Sequence, residues 1–172
     1  MGGTWHLTRR FIGSLRPGGP PESDRAWVED VLSEAEYALW ARQYGPDRRH
    51  TVQVAHEVER RLGGDATRPV LAAALLHDIG KIDAGLGTWG RVVATVVARV
   101  AGRDTAKRWI ARRGYTGRIG RYLHHPKIGA DLLAAAGSAP LTVAWAKEHH
   151  TPAEAWTIDP AIGRVLFEVD DD

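Results

Sequence analysis

Apolar and polar positions along this chain read as helix in almost every segment. Ser33-Glu34-Ala35-Glu36 has the form of a capping box, with Ser33 as the cap and Glu36 reaching back. It predicts a helix running on through Tyr37 and Trp40. Gly45-Pro46-Asp47 breaks that helix, and Pro46 suits the first turn of the next. The next helix extends to about Leu62 and stops at Gly63-Gly64. Thr67 and Pro69 open another, in which Val70 to Leu76 are apolar nearly all round, the pattern of a buried central helix. Pro126, Pro140, Pro152 and Pro160 each stand where a helix would begin. The last helix carries Ile162, Leu166 and Val169 on one face. Val92 to Val100 is β-branched enough for a strand on propensity alone, but its flanks and neighbours favour a helix or a membrane-surface segment. The fold class this predicts is all-α, a single-domain helical bundle without internal repeats. Pro17 to Pro21 reads as a Pro/Gly-rich linker. It sets off an N-terminal extension, residues 1–21, whose piece Trp5 to Leu15 has Arg9 and Arg10 beside Leu7, Phe11, Ile12 and Leu15.

Composition narrows the class. A chain of 172 residues is one domain, able to bury roughly 70% of the surface it exposes unfolded. At 44% hydrophobic and 26% charged it is ordinary globular chemistry, neither disordered nor collagen-like. The absence of cysteine excludes disulfides, thiolate metal sites and a cysteine nucleophile, and suits a reducing cytoplasm. No apolar run is long enough to span a membrane, and Met1 to Arg10 has no apolar core of a secretory signal. Net charge is only +2, but the basic residues collect in one place. Arg91, Arg99, Arg103, Lys107, Arg108, Arg112, Arg113, Arg118 and Arg121 are accompanied by a single acid, Asp104. Such a stretch is either a solvated helix face or an electropositive surface for an anionic substrate, nucleic acid or anionic lipid. The expected location is cytoplasmic, with peripheral membrane contact the addition this cluster suggests.

The candidate chemistry lies in the histidines: His6, His50, His56, His77, His124, His125, His149 and His150. His77-Asp78 ends the buried helix and is followed by Ile79-Gly80-Lys81. An adjacent His and Asp lie ~100° apart on a helix, so both can reach one ion off its end. Imidazole with carboxylate suits Zn, Mn, Fe or Ni better than Ca. Lys81 falls on the same face, aimed at an anion the metal would hold. Two polar groups buried unpaired cost several kcal/mol. A metal would satisfy both, as would a His–Asp hydrogen bond capping the helix.

The ordered set is more specific. His50, then His77-Asp78-Ile79-Gly80-Lys81, His125-Pro126-Lys127-Ile128-Gly129, His149-His150 and an Asp near the end of the last helix resemble the HD-domain superfamily of metal-dependent phosphohydrolases. The HDxGK and HPxxG segments are most similar to HD-GYP-type cyclic-dinucleotide phosphodiesterases and their shorter relatives, over roughly His50 to Asp170. The resemblance implies an HD-type helical bundle over residues 22–172. It implies that His50, His77, Asp78 and Asp170 hold a first metal. Asp78 would bridge to a second, held by His125 and His149 with His150 close by. A water between the metals would be the nucleophile, and Lys81 would hold a phosphate oxygen, making Asp78 and Lys81 the catalytic pair. One or two divalent ions, Mn, Fe, Ni, Zn or Mg, are implied as cofactors.

Neighbouring candidates are sorted by position. His125 precedes Pro126 and matches the motif, which leaves His124 outside the ligand set. Of His149 and His150, at least one is a ligand. Ile162, Leu166 and Asp170 form one i, i+4, i+8 row, so Asp170, rather than Asp171 or Asp172, continues the inward stripe. His56 lies on a different face from His50, and His6 is outside the motif.

Three features depart from the family pattern. No GYP follows His149-His150; the sequence is Thr151-Pro152-Ala153-Glu154-Ala155-Trp156. A Glu four residues before the first His, which recruits a third metal in some relatives, is here Pro46. The interval between His77 and His125 is long, and residues from about 84 to 121 read as a basic helical insertion. The resulting expectation is a phosphohydrolase acting on a phosphomonoester or phosphodiester, a nucleotide or cyclic nucleotide best of all. The alternatives are a non-hydrolytic HD scaffold that binds nucleotide or metal, and a protein that meets membranes or, less readily, nucleic acid through Arg91 to Arg121.

Overall fold

A computed structural model describes residues 18–86, 88–101 and 108–171. The piece Trp5 to Leu15, the start of the linker and Asp172 lie outside the described residues. Those described form an all-α bundle with no strand among them. The capping box is made: Glu36 N–H donates to Ser33 Oγ at 3.3 Å, and Ser33 N–H to Glu36 Oε2 at 2.9 Å. Helix α1 (Glu22–Val31) precedes it and α2 (Glu34–Ala41) follows. Pro46 lies in the first turn of α3 (Gly45–Leu62), and Gly63 ends that helix at φ 54°, a left-handed turn that favours glycine.

Helix α4 (Arg68–Leu76) is the hub, with every residue from Val70 to Leu76 buried. It packs between α3 and α8 (Pro140–Glu148), with α1 and α2 also against it. Thr142 Oγ1 on α8 donates to the carbonyl of Pro69 at 3.0 Å, which fixes the register of the two helices. Trp40 and Trp145 are the bulkiest fully buried side chains. The Trp40 indole N–H donates to Thr51 Oγ1 at 3.3 Å, so its one polar atom is satisfied in the core. Helix α9 (Pro160–Asp171) lays Leu166 and Val169 into this core and packs along α3. Helix α7 (His125–Ala135) packs on α8 and on the 3-10 turn Ile79–Ala84 that follows His77-Asp78.

The Val-rich segment is helical. Helix α5 (Thr88–Ala101) buries Ala94 and half-buries Val97, while Val92, Val93, Val96 and Val100 are exposed. That is a period near 3.6, which an alternating strand cannot produce. With α6 (Gly114–Leu123) it encloses a second, smaller core of Ala84, Leu86, Ala94 and Ile119. The insertion is thus a subassembly seated on the Ile79–Ala84 turn. Pro126, Pro140 and Pro160 lie in first helical turns as expected, whereas Pro152 opens only the short 3-10 turn Ala153–Ala155.

Candidate metal centre

Three histidines reach one carboxylate from three helix ends. His77 caps the C-terminus of α4, His125 opens α7, and His149 caps the C-terminus of α8. All three are buried, as is Asp78. His125 Nε2 lies 3.3 Å and His149 Nε2 3.6 Å from Asp78 Oδ1, and His77 Nε2 lies 3.5 Å from Asp78 Oδ2. The packing of α4 on α8, and of α8 on α7, makes this convergence.

The opposite ring nitrogens are tied in one recurring way. His77 Nδ1 bonds the carbonyl of Ala74 at 2.9 Å, His125 Nδ1 that of Tyr122 at 2.7 Å, and His149 Nδ1 that of Ala146 at 3.0 Å. Each partner lies three residues back. A carbonyl only accepts, so each Nδ1 carries a proton and each Nε2 is the atom left facing Asp78. Those three Nε2 atoms are buried and have no hydrogen-bond partner. A carboxylate oxygen faces these Nε2 atoms at 3.3–3.6 Å, an arrangement that calls for positive charge at each contact, a proton on the ring or a cation between the two. Ligands each about 2.0–2.2 Å from one ion lie roughly this far apart. The donor set and its spacing therefore fit a metal.

The candidate ligands divide into two groups whose donor atoms all lie within 4.8 Å of one another: Asp78, His125, His149 and His150, and His50, His77 and Asp170. Asp170 Oδ1 is 2.8 Å from His50 Nε2 and 3.5 Å from His77 Nε2. The i, i+4, i+8 row on α9 thus delivers Asp170 to the site, as expected. His150 is the exposed member of its group, its ring 4.0 Å from that of His149 and 5.2 Å from that of His125. His124 is not in either group. His56 lies elsewhere, stacked on Trp27 at 4.1 Å between ring centroids.

The electrostatics keep both carboxylates of the cluster ionised. Burial works against charge on His77, but Asp170 and Asp78 outweigh it and raise its pKa to about 9. Burial pulls Asp78 upward, yet Lys81, His77 and the two facing imidazoles hold it well below the carboxylate range. Asp170 is likewise held low, with His77 and His50 overcoming burial. His125 is pushed down by burial. Cover by its surroundings and the neighbouring His149 and His125 push His150 down to about 3, so it offers a neutral ring.

Lys81 Nζ is ion-paired with Asp78 Oδ2. The sequence places it on the same face as Asp78, and the reason is a 3-10 turn rather than a continued helix: residues three apart eclipse there. Burial opposes the Lys81 charge, but Asp78 raises its pKa, with Tyr122 and Asp47 adding to the effect.

Several supporting residues escaped the sequence reading. Gly80 and Gly129, the glycines of HDxGK and HPxxG, are in backbone contact: a Cβ on Gly80 would lie 2.1 Å from the His125 carbonyl oxygen and 2.6 Å from Gly129 N. The paired glycines let the segments carrying Asp78 and His125 close on one another. Tyr122 supplies the carbonyl under His125, and its ring lies 5.7 Å from that imidazole. Its place three residues before a ligand, like Ala74 and Ala146, was the available signal. Glu148 is buried beside His149 and accepts from Thr157 N–H at 2.7 Å and Thr157 Oγ1 at 2.8 Å. It holds the loop after His149-His150, where Trp156 packs edge-on against Trp145 at 5.4 Å.

No family model, no curated protein and no solved structure matches this chain.

Proposed function

We propose that this chain is an HD-type metal-dependent phosphohydrolase acting on a phosphomonoester or phosphodiester, with nucleotides or cyclic nucleotides the best-suited class. The observation that carries the reading is the convergence on Asp78 of three buried Nε2 atoms that make no hydrogen bond. The order of the motifs and the two ligand groups support it. His50, His77, Asp78 and Asp170 would hold one ion, and Asp78, His125 and His149, with His150, a second. Bound there, divalent ions acidify a water and polarise a phosphoryl group.

The remaining work falls to the chain's own residues. Each imidazole is held in a single tautomer by the carbonyl behind it, so the donor atoms need no reorganisation on binding. Lys81 keeps its proton, and its ammonium, now on Asp78, would also neutralise a phosphate oxygen at the same edge. His150, the exposed member of the cluster, is the one ligand candidate that substrate could meet from solvent.

Metal content and hydrolysis of p-nitrophenyl phosphate and bis(p-nitrophenyl) phosphate, measured on one preparation beside Asp78→Ala, test this. The expected result is about two ions per chain and turnover that Asp78→Ala abolishes. Failure to hold metal after reconstitution with Mn, Fe or Ni would overturn the reading and make the cluster structural. Metal retention without hydrolysis of either ester would assign the scaffold to nucleotide or metal sensing.

A further inference from the structure

The insertion has a surface chemistry that phosphoester hydrolysis leaves unused. On α5, Ala94 faces inward against Ala84, Leu86 and Ile119, and Val97 packs on the same cluster. Val92, Val93, Val96 and Val100 stand on the other side, and Val100 is 84% exposed. At ~100° per residue these four valines share one arc of about 100°. The sequence of this segment is strongly biased to one sign of charge. The stretch from Arg91 to Arg121 holds the nine basic residues and the one acid named above, of which Arg103, Asp104 and Lys107 lie outside the described residues. Arg108, Arg112, Arg113 and Arg118 are exposed, in the same stretch as the exposed Ile110 and Tyr115. The turn Arg108–Ala111 packs on α6, and α6 on α5, so the valine stripe and the exposed Arg108, Arg112, Arg113 and Arg118 belong to one subassembly.

We propose that this subassembly docks on an anionic lipid bilayer surface, with the α5 valines in the headgroup–acyl boundary and the arginines on lipid phosphates. No helix among the described residues is long and apolar enough to cross a membrane, so α5 would lie in the plane of the surface. Charge complementarity selects this occupant. Nucleic acid would use the arginines but leave four valines in water. A second copy of the chain would cover the valines but bring two strongly basic surfaces together. An anionic bilayer satisfies both. The inference is independent of the phosphohydrolase reading, since none of its residues belongs to the metal centre.

The test is sedimentation of the full chain with phosphatidylcholine vesicles, with and without phosphatidylglycerol. Binding is expected only with phosphatidylglycerol, and is expected to weaken as salt rises. The variant Val96→Ser/Val100→Ser leaves charge unchanged and alters exposed positions only. It is expected to bind about tenfold more weakly, with an unchanged melting temperature. No binding to the anionic vesicles at low salt would overturn the proposal. So would undiminished binding by the serine variant, which would reduce the contact to charge alone. A dimer in solution that the serine variant dissolves would assign the face to a second copy. Salt-sensitive RNA binding indifferent to the serines, with no vesicle binding, would assign it to nucleic acid.

Discussion

Replacing Gly80 by alanine probes the closest backbone approach at the centre. The added Cβ would sit 2.1 Å from the His125 carbonyl oxygen and 2.6 Å from Gly129 N. Ordinary contact for such atoms is about 3.5 Å, so the two segments must part by roughly an ångström. Both obstacles are backbone, and no side chain can rotate away. Overpacking of this kind costs ~1–3 kcal/mol, and a clash with fixed backbone belongs at the upper end, about 3 kcal/mol. For a chain of this length that lowers the melting temperature by about 6–12 °C. Gly129→Ala is the internal control: its Cβ would meet Gly80 N at 3.1 Å and Ile79 Cγ2 at 3.2 Å, a crowding relieved by a few tenths of an ångström. Its expected cost is about 1 kcal/mol. Gly80 is not among the glycines with positive φ, so the contrast reports space rather than backbone conformation. Urea denaturation of chelator-treated protein gives the two values. Metal content gives a second readout, because the displaced backbone is that of His125: the group containing His125 should lose its ion while His50, His77 and Asp170 keep theirs. A Gly80→Ala protein within ~0.5 kcal/mol of the parent and fully metal-loaded would refute the contact.

Three further outcomes are expected. His149→Ala should lose about one ion per chain, whereas His56→Ala, at an exposed ring outside both groups, should keep all of them, as metal analysis after dialysis would show. Glu148→Ala strips Thr157 of the acceptor for its N–H and hydroxyl and should cost about 3 kcal/mol in urea denaturation, with Glu148→Gln recovering roughly half. Ser33→Ala removes the cap on α2 and should cost about 1 kcal/mol by the same measurement, without altering metal content.

The parts of the fold legible in the sequence are those set by neighbours in the chain. The Ser33–Glu36 box, Pro46, the Gly63 stop and the apolar run Val70 to Leu76 all act within a turn or two, and each appears where expected. Val92 to Val100 was ambiguous because β-branched residues serve strands and helices alike. Packing of Ala94 and Val97 on Ala84, Leu86 and Ile119 decides the matter, and that is tertiary information. The seven candidate ligands could be picked out because metal donors are chemically few and their order is distinctive, and the structure brings all seven into two adjoining groups. What holds them was less visible. The 3-10 turn that stacks Lys81 over Asp78 shows no local signature, and the contact of Gly80 with Gly129 joins positions far apart in the chain. Glu148 reads in sequence as an ordinary helix-end acid, and only the fold brings Thr157 to it.

The carbonyls behind His77, His125 and His149 bear on how this centre tolerates inherited variation. Where a carboxylate side chain orients a ligand, one codon change can remove it. Here the orienting oxygens are main-chain atoms of Ala74, Tyr122 and Ala146, and every amino acid substituted at those positions brings the same oxygen. The aim of the three imidazoles is therefore encoded in the course of three helix ends rather than in the identity of any residue beside them. Substitutions that keep the small buried volume at Ala74 and Ala146 should be nearly silent for the ligand geometry. Changes that bend the chain there, a proline or an inserted residue, should not be.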